Sequence, residues 1–426
     1  LSLSSFQEVH TVSGGSLLAH RDFRLLLLGQ TTSQFGAQVS GIAVPLLAVL
    51  TLDASPFEVG LIAAASTVAF AVIGLPAGAW LDRWPRRPVL VASDVVRAVS
   101  LATIPLAAWF GVLTIAQLVV IALLTGVARV FFDVGYQAYV PSIVGRDRVL
   151  AGNSAMETMR ASGQFVGPGL GGWLVAVAGA ANVVFVQAVT FAVSAASIAA
   201  IRHQEAGGSR PPAAGTSLRA DIGEGLRFVL RHRVLRAIAV ASALSNLAFA
   251  LASAVTFVFL ARTLQLSPTV IGLVVAGGSA TVMAGAVLTP WLARRIGSAR
   301  IVWLSLAVTG PLTLLIPLAR PGWTAVTFTV IGMAAGELGQ IVYAVSSLSL
   351  RQRLCPDRLL ARVSATMRFL VMAAFPLGAL LGGVLGETAG LRPALWVCGV
   401  LLVLAPAPLV LALRRWPHDH QPVATS

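Results

Sequence analysis

The sequence contains no lysine; all thirty basic residues are arginine. A GxxxxGK[ST] phosphate loop uses its lysine to reach the phosphates, so the chain has no ATPase site of that kind. Cysteine is scarce too. Cys355 falls in a charged loop and Cys398 in the last apolar run, which makes neither a disulfide framework nor a metal site. The six histidines (His10, His20, His203, His232, His418 and His420) lie in the tails or the central loop. No apolar span offers a histidine base or ligand, so familiar hydrolase and metalloprotease sites lack their parts. The chain reads as a non-enzyme with no cofactor and no metal.

Charge is the third scarcity. Only 11% of the 426 residues are charged and 57% are hydrophobic, with a mean hydropathy of +0.86. A soluble chain would carry about a quarter charged residues. Apolar runs long enough to cross a bilayer, roughly 20 residues each, recur along the chain. They fall at about 24–50, 58–81, 88–110, 113–139, 154–178, 182–201, 235–261, 269–292, 300–319, 323–349, 360–386 and 393–413. The pattern predicts an all-α membrane protein of twelve transmembrane helices. The opening segment lacks the basic, apolar, small-residue order of a cleaved signal, so the first span is expected to stay in place.

A net charge of +14 and a pI near 11.6 would suggest nucleic acid in a soluble chain. The positions of the arginines exclude that partner. With the N-terminus inside, twenty-three arginines fall in the inner segments and three (Arg262, Arg320 and Arg392) in the outer ones. This positive-inside bias predicts a multi-pass protein of the cell membrane with both termini cytoplasmic.

The expected divisions are a tail at 1–20, a six-helix bundle at 21–201, a linker at 202–234, a second bundle at 235–415 and a tail at 416–426. The linker begins rich in Gly, Pro and Ala. It then sets Leu218, Ile222, Leu226, Val229 and Leu230 on one helical face with arginines opposite, which suggests a helix on the cytoplasmic membrane surface; a partner-binding helix is the alternative. The two bundles repeat. "SPFEVGLIAAAS" from Ser55 matches "SPTVIGLVVAGG" from Ser267 at an offset of 212, and "RDRVLAGNSA" from Arg146 matches "PDRLLARVSA" from Pro356 at an offset of 210. Parallel six-span repeats belong to transporters that rock two bundles around a central site.

Two motifs carry a family likeness. Gly78-x-x-Leu81-Asp82-Arg83-x-x-Arg86-Arg87, after span 2, resembles the signature between helices 2 and 3 of the major facilitator superfamily, with Pro85 where that family has Gly. Gly163-x3-Gly167-Pro168-x2-Gly171-Gly172, in span 5, resembles the family's antiporter motif; a packing face without bearing on direction is the alternative reading. More narrowly, "FRLLLLGQTTSQFG", "LPAGAWLDRWPRRPVLVASDVVRA" and "VPSIVGRDRVLAGNSAMETMR" are similar to the drug, macrolide and enterobactin-type siderophore exporters of that superfamily. The resemblance implies that Asp82 caps the cytoplasmic start of span 11, where a helix dipole favours an anion. It implies too that Arg83, Arg86 and Arg87 tie the two halves together and let go on switching, and that helices 1, 4, 7 and 10 line the cavity.

Ionisable groups inside spans are costly and hence functional candidates. Asp94/Arg97 and Glu157/Arg160, towards the cytoplasmic ends, read as structural ion pairs at i,i+3. Arg129 and Asp133 lie deeper in span 4 and fit a functional or a structural pair equally; Asp133 stands where the family motif favours Gly. Glu337, mid-span 10, has no arginine within four residues on either side. A lone carboxyl in a low dielectric suits proton uptake and release, with an arginine from another helix, Arg129 or Arg368, as the alternative fate. The expected cavity residues are Gln30, Gln34 and Gln38 on span 1, Arg129 and Tyr136 on span 4, Asn246 on span 7, and Gln340 and Tyr343 on span 10. Gln164 and Gln187, on spans 5 and 6, blur that sorting.

The sequence thus predicts a proton-coupled exporter of a bulky apolar or amphipathic small molecule, working by alternating access as a monomer in the lipid bilayer, with Glu337 or Asp133 taking the proton. An importer of the same fold is the nearest rival. A membrane sensor is a further one, although the outer loops leave no soluble domain to sense with.

Overall fold

The computed structural model describes residues 20–81, 84–145, 149–202, 218–297 and 299–413. Every regular element among the described residues is helical. The first half holds α1 (Arg21–Thr51), α2 (Pro56–Leu81), α3 (Arg86–Trp109), α4 (Ile115–Val144), α5 (Val149–Ala178) and α6 (Ala180–Ala199). A linker helix α7 (Leu218–Arg231) leads to α8 (Arg233–Val258), α9 (Pro268–Ile296), α10 (Arg300–Thr313), α11 (Leu315–Leu318), α12 (Trp323–Leu354), α13 (Asp357–Thr388), α14 (Leu391–Leu404) and α15 (Ala407–Leu413). The ninth span is α10 with α11, and the twelfth is α14 with α15; each pair adjoins a proline, Pro311 and Pro406, which removes a backbone donor. Among the described residues eleven segments are long and apolar enough to cross a membrane. The fifth span, α5, is not among them; its motif glycines, Pro168 and Gln164 lower its apolar content. Large apolar side chains are exposed mid-helix, Val72 at 68% and Val287 at 80%, a surface that hydrocarbon tolerates and water does not.

The halves share one plan. In the first, α1 packs on α5 and α6, α3 on α4 and α6, and α2 on α4; in the second, α8 packs on α13 and α14, α10 on α12 and α14, and α9 on α12. Their local chemistry repeats as well. Ser55 and Glu58 form a reciprocal capping box at α2, Ser55 N donating to Glu58 Oε2 at 2.8 Å and Glu58 N to Ser55 Oγ at 3.3 Å. At the equivalent start of α9, Ser267 Oγ accepts from Val270 N at 3.5 Å, with Pro268 in the first turn. The preceding turns each hold a left-handed residue at the same offset of 212, Asp53 at φ 50° and Gln265 at φ 54°.

Two long helix pairs join the halves, α2 with α13 and α5 with α9, and the repeat exchanges one pair for the other. Both are backbone-close at glycines. A Cβ on Gly272 would sit 2.7 Å from the Pro168 carbonyl oxygen and 2.8 Å from Gly172 Cα. A Cβ on Gly60 would sit 2.6 Å from the Ala379 carbonyl oxygen and 2.9 Å from Gly383 Cα. Without a hydrophobic drive between helices in lipid, this closeness is what gains dispersion contact.

The linker helix has protein neighbours. α7 packs on α13 and α8, with Val229 fully buried in a cluster containing Leu235, Ile238 and Leu359. Its apolar face is thus covered by the chain's own second half at least at Val229, while Leu230 stays half exposed.

Replacing Gly272 with Ala is expected to lower the unfolding midpoint in detergent, by an amount matching roughly 1–3 kcal/mol of overpacking. Gly41→Ala, where a Cβ meets nothing within 4 Å, should not lower it. Equal midpoints for the two variants would show that the α5–α9 contact is not tight.

Candidate functional site

A cavity of about 1080 Å³ opens within the first half. Its lining includes Gln30, Gln34 and Gln38 of α1, which sit one turn apart and so present one polar stripe. From α4 come Arg129, Phe132, Asp133, Tyr136 and Gln137, and from α5 Glu157, Arg160 and Gln164. Among the described residues, the second half reaches it only through Ser253 and Phe257 of α8. Phe132 stacks on Tyr136 with centroids 5.9 Å apart. Two lining atoms, Gln30 Oε1 and the Tyr136 hydroxyl, are buried without a hydrogen-bond partner among the described residues, and an unpaired polar atom of this kind favours a ligand able to pair it.

Three ion pairs face this cavity, one on each of α3, α4 and α5. Arg129 Nε lies 3.5 Å from Asp133 Oδ2, with the arginine side chain 66% exposed and the aspartate 32%. Glu157 and Arg160 pair through two hydrogen bonds. Asp94 pairs with Arg97 and is wholly buried. The Asp94/Arg97 pair is not near a helix end as expected: Arg97 is half-way along the 24-residue α3 and lines the cavity. The sequence signal that could have placed all three pairs together is their confinement to the first half.

Four expected site residues stand apart from that cavity. Tyr343 is a packing residue here: it is fully buried, donates to the Ile238 carbonyl at 2.9 Å and shares a 2.7 Å bond with Ser242, tying α12 to α8. Asn246 Nδ2 donates to the Ser242 carbonyl at 2.8 Å within α8. Glu337 and Gln340 lie on α12 outside the lining. Glu337 packs against α9, where a Cβ on Gly278 would be 3.6 Å from its Cγ. Among the described residues the Glu337 carboxyl has no ion-pair partner; Arg129 is taken by Asp133, and Arg368 is exposed.

The two motifs resolve differently. Asp82 and Arg83 lie outside the described residues. Arg87 does not bridge the halves: it donates to the Ile198 carbonyl at 3.3 Å and to the Ala199 carbonyl, capping the C-terminus of α6 in its own half. A cation there meets unpaired carbonyls and the negative end of the helix dipole. Trp80, Trp84 and Phe131 stack around the same turn. In the span 5 motif, a Cβ on Gly167 would collide with Gln38 and one on Gly171 with the Val39 carbonyl, both on α1, while Gly172 faces α9. α13 repeats this: Gly378 meets the Leu247 carbonyl, Gly382 the Leu251 carbonyl and Gly383 α2. "GPGLGG" at 167–172 and "GALLGG" at 378–383 are therefore one packing device used twice, a repeat that aligning the two halves at an offset of 211 would have exposed.

Twelve helices in two like halves, with a polar cavity among them, define a membrane transporter and not an enzyme. The chain belongs to the Major Facilitator Superfamily, whose family model matches residues 26–374 and 238–425. It is 31% identical over 386 residues to the "Multidrug efflux pump Tap" of Mycolicibacterium fortuitum, covering 86% of this chain and 90% of that protein. It is 29% identical over 380 residues to the pump of the same name from Mycobacterium tuberculosis (strain ATCC 25618 / H37Rv), covering 86% and 88%. Among solved structures, a bacterial homologue of the iron transporter ferroportin in the inward-facing state superposes with a TM-score of 0.75 at 18% identity, over 94% of this chain and all of that one. The nucleoside transporter NupG superposes at 0.72 and 14%, over 92% and 99%. Those two likenesses establish the fold.

Tyr343→Phe is expected to lower the unfolding midpoint by the equivalent of roughly 1–2 kcal/mol, since Ser242 and the Ile238 carbonyl lose a partner, while efflux by the folded protein persists. Gln34→Ala should do the reverse, weakening efflux with an unchanged midpoint. The two measurements together separate packing residues from cavity residues.

Proposed function

We propose that this transporter is a proton-coupled exporter of a bulky amphipathic small molecule, with both termini cytoplasmic and the bundles 21–201 and 235–415 rocking as units. The observation that carries the reading is the pairing pattern. Every carboxylate in the cavity has its own arginine, whereas Glu337, across the molecule, has no such partner among the described residues. A carboxyl without a fixed cation can exist neutral in the membrane, and switching between neutral and charged forms is how a proton can bias one arrangement over another. Asp133 is the second candidate, being a cavity carboxylate part-exposed deep in α4. The efflux activity named for the relatives, the mixed aromatic and glutamine lining and the size of the cavity favour export of an amphipathic compound over import of a small polar one.

The junction between halves supports alternating access. Arg262, in the π-helical turn Phe259–Thr263 after α8, donates to Asp53 at 2.5 Å and to the Val49 carbonyl at 3.2 Å, across the halves. On the proposed orientation this contact closes the outer side. Asp53 is 95% exposed, so the pair is worth at most about 1 kcal/mol, a contact that holds one state without trapping it. At the inner side we assign Asp82 to the start of α13, with Arg83 and Arg86 as the cross-half cations, and a monomer as the working unit.

The test uses inverted membrane vesicles and ethidium, a lipophilic cation. Wild-type protein should accumulate the dye under a pH gradient and stop when the gradient is collapsed. Glu337→Gln should lose at least tenfold of that gradient-driven rate. An unchanged rate in the variant would remove Glu337 as proton carrier; dye movement indifferent to the gradient would overturn proton coupling.

A further inference from the structure

The Asp94–Arg97 pair is built unlike the other two. The guanidinium carbon of Arg97 lies 4.3 Å from the ring centroid of Phe132 on α4 and 4.3 Å from that of Phe191 on α6. With aromatic rings over it, the planar cation can hydrogen-bond only through its edges. One edge goes to Asp94 Oδ1, and Arg97 itself lines the cavity. Part of the pair's bonding capacity is unfilled: Asp94 Oδ2 and Arg97 Nε are buried with no hydrogen-bond partner in bonding geometry among the described residues, and the Ser194 hydroxyl beside Asp94 is likewise unpaired. A purely structural pair would be expected to fill those positions, because unsatisfied buried charge is expensive.

The charged neighbours of this pair come from one helix. Of the two helices packed against α3, α4 brings Asp133 and Arg129, both within electrostatic reach of Arg97, and α6 brings no ionisable group, only the Ser194 hydroxyl beside Asp94. Glu157 and Arg160 of α5 also line the cavity and neutralise each other. The sequence order Phe132–Asp133 puts one residue against the face of the guanidinium and the next into the cavity. Arg97 is thereby paired with a carboxylate sealed behind it and stands within electrostatic reach of one that cargo can reach.

We propose that Asp94 is a proton-binding site of this transporter, which the organic-cation cargo bound at Asp133 displaces through Arg97. With all four groups ionised, Asp94, Arg97, Asp133 and Arg129 sum to zero charge. One extra positive charge can be added in two ways, by a proton on Asp94 or by a cationic group against Asp133. Adding both leaves two uncompensated charges in a low dielectric, which the site disfavours strongly. Proton and cargo are therefore exclusive, as antiport requires. Asp94, at 0% exposure, is out of reach of cargo and serves the proton alone; Asp133 serves the cargo. On cargo entry the Asp94 carboxylic acid loses its proton to cavity water, and the resulting carboxylate takes up Arg97 as Asp133 turns to the cargo cation. The inference rests on the export reading above and names its cargo class.

The test is ethidium binding to the full-length protein in detergent, in weak buffer with a pH indicator. Wild-type protein should release protons on binding and bind more tightly as pH rises, since the competing proton then leaves Asp94. Asp94→Asn mimics the protonated site permanently. It should bind ethidium at least tenfold more weakly than wild type at high pH, with no pH dependence and no proton release. A variant that keeps wild-type proton release and pH dependence overturns the assignment while leaving proton-coupled export standing; a wild-type protein that releases no proton overturns both. If Asp94→Asn does not fold, infrared difference spectra decide. Ethidium should remove a protonated-carboxyl C=O band from wild type at low pH, and Asp94→Glu should shift that band. A band that does not move places the proton elsewhere and overturns the proposal.

Discussion

Backbone-to-backbone approach at four glycines holds the two halves of this transporter together, and the rest of its architecture follows from that closeness. Gly172 against Gly272 and Gly60 against Gly383 let α5 meet α9 and α2 meet α13 with no side chain between them. In lipid such contact supplies the dispersion energy that the hydrophobic effect cannot. Because the two joints are exchanged by the internal repeat, each half meets the other along two lines, and the first half's cavity is left framed between them with α8 alone, among the described residues, touching it from across the molecule. The same device continues inward: Gly167 and Gly171 seat α5 on α1, and Gly378 and Gly382 seat α13 on α8.

Charge is distributed against that symmetry. Among the described residues all three intramembrane ion pairs belong to the first half, where each acid lies one turn from its arginine and can be neutralised before the helices assemble. The second half keeps the helix plan and the glycines but replaces the pairs with a lone Glu337 and packs its central tyrosine shut against α8. A duplicated scaffold has thus diverged: one half shapes and polarises the cavity, and the other holds a carboxyl with no ion-pair partner among the described residues. The proposed antiport cycle needs both halves, because the cavity can open to one side and then the other only if the two bundles rock against each other.

The fold was open to sequence reading because hydropathy and arginine position act over twenty residues at a time and survive local irregularity. Even α5, too glycine-rich to pass as a span on apolar content, could be counted from its neighbours and its motif. The site was less legible, and for definite reasons. Periodicity within one helix shows which residues share a face, so the Gln30–Gln34–Gln38 stripe was readable, but not which neighbour that face meets. Tyr343 looked like lining because a polar ring on span 10 is ambiguous until Ser242 and the Ile238 carbonyl are found around its hydroxyl. Arg87 looked like a bridge because the carbonyls it caps, at Ile198 and Ala199, lie 111 and 112 residues away. In sequence Arg97 reads as half of a helix-end pair, and only the packing of α4 and α6 shows it flanked by Phe132 and Phe191 at the cavity wall.

The central claim, that a proton gradient drives outward movement of an organic cation, is most directly tested with the purified chain alone in proteoliposomes. An imposed pH gradient, with no membrane potential and no other protein, should drive ethidium against its concentration gradient toward the more acidic side, and reversing the gradient should reverse the direction. Ethidium flux that only runs down its own gradient, at the same rate whichever side is acidic, would contradict the account.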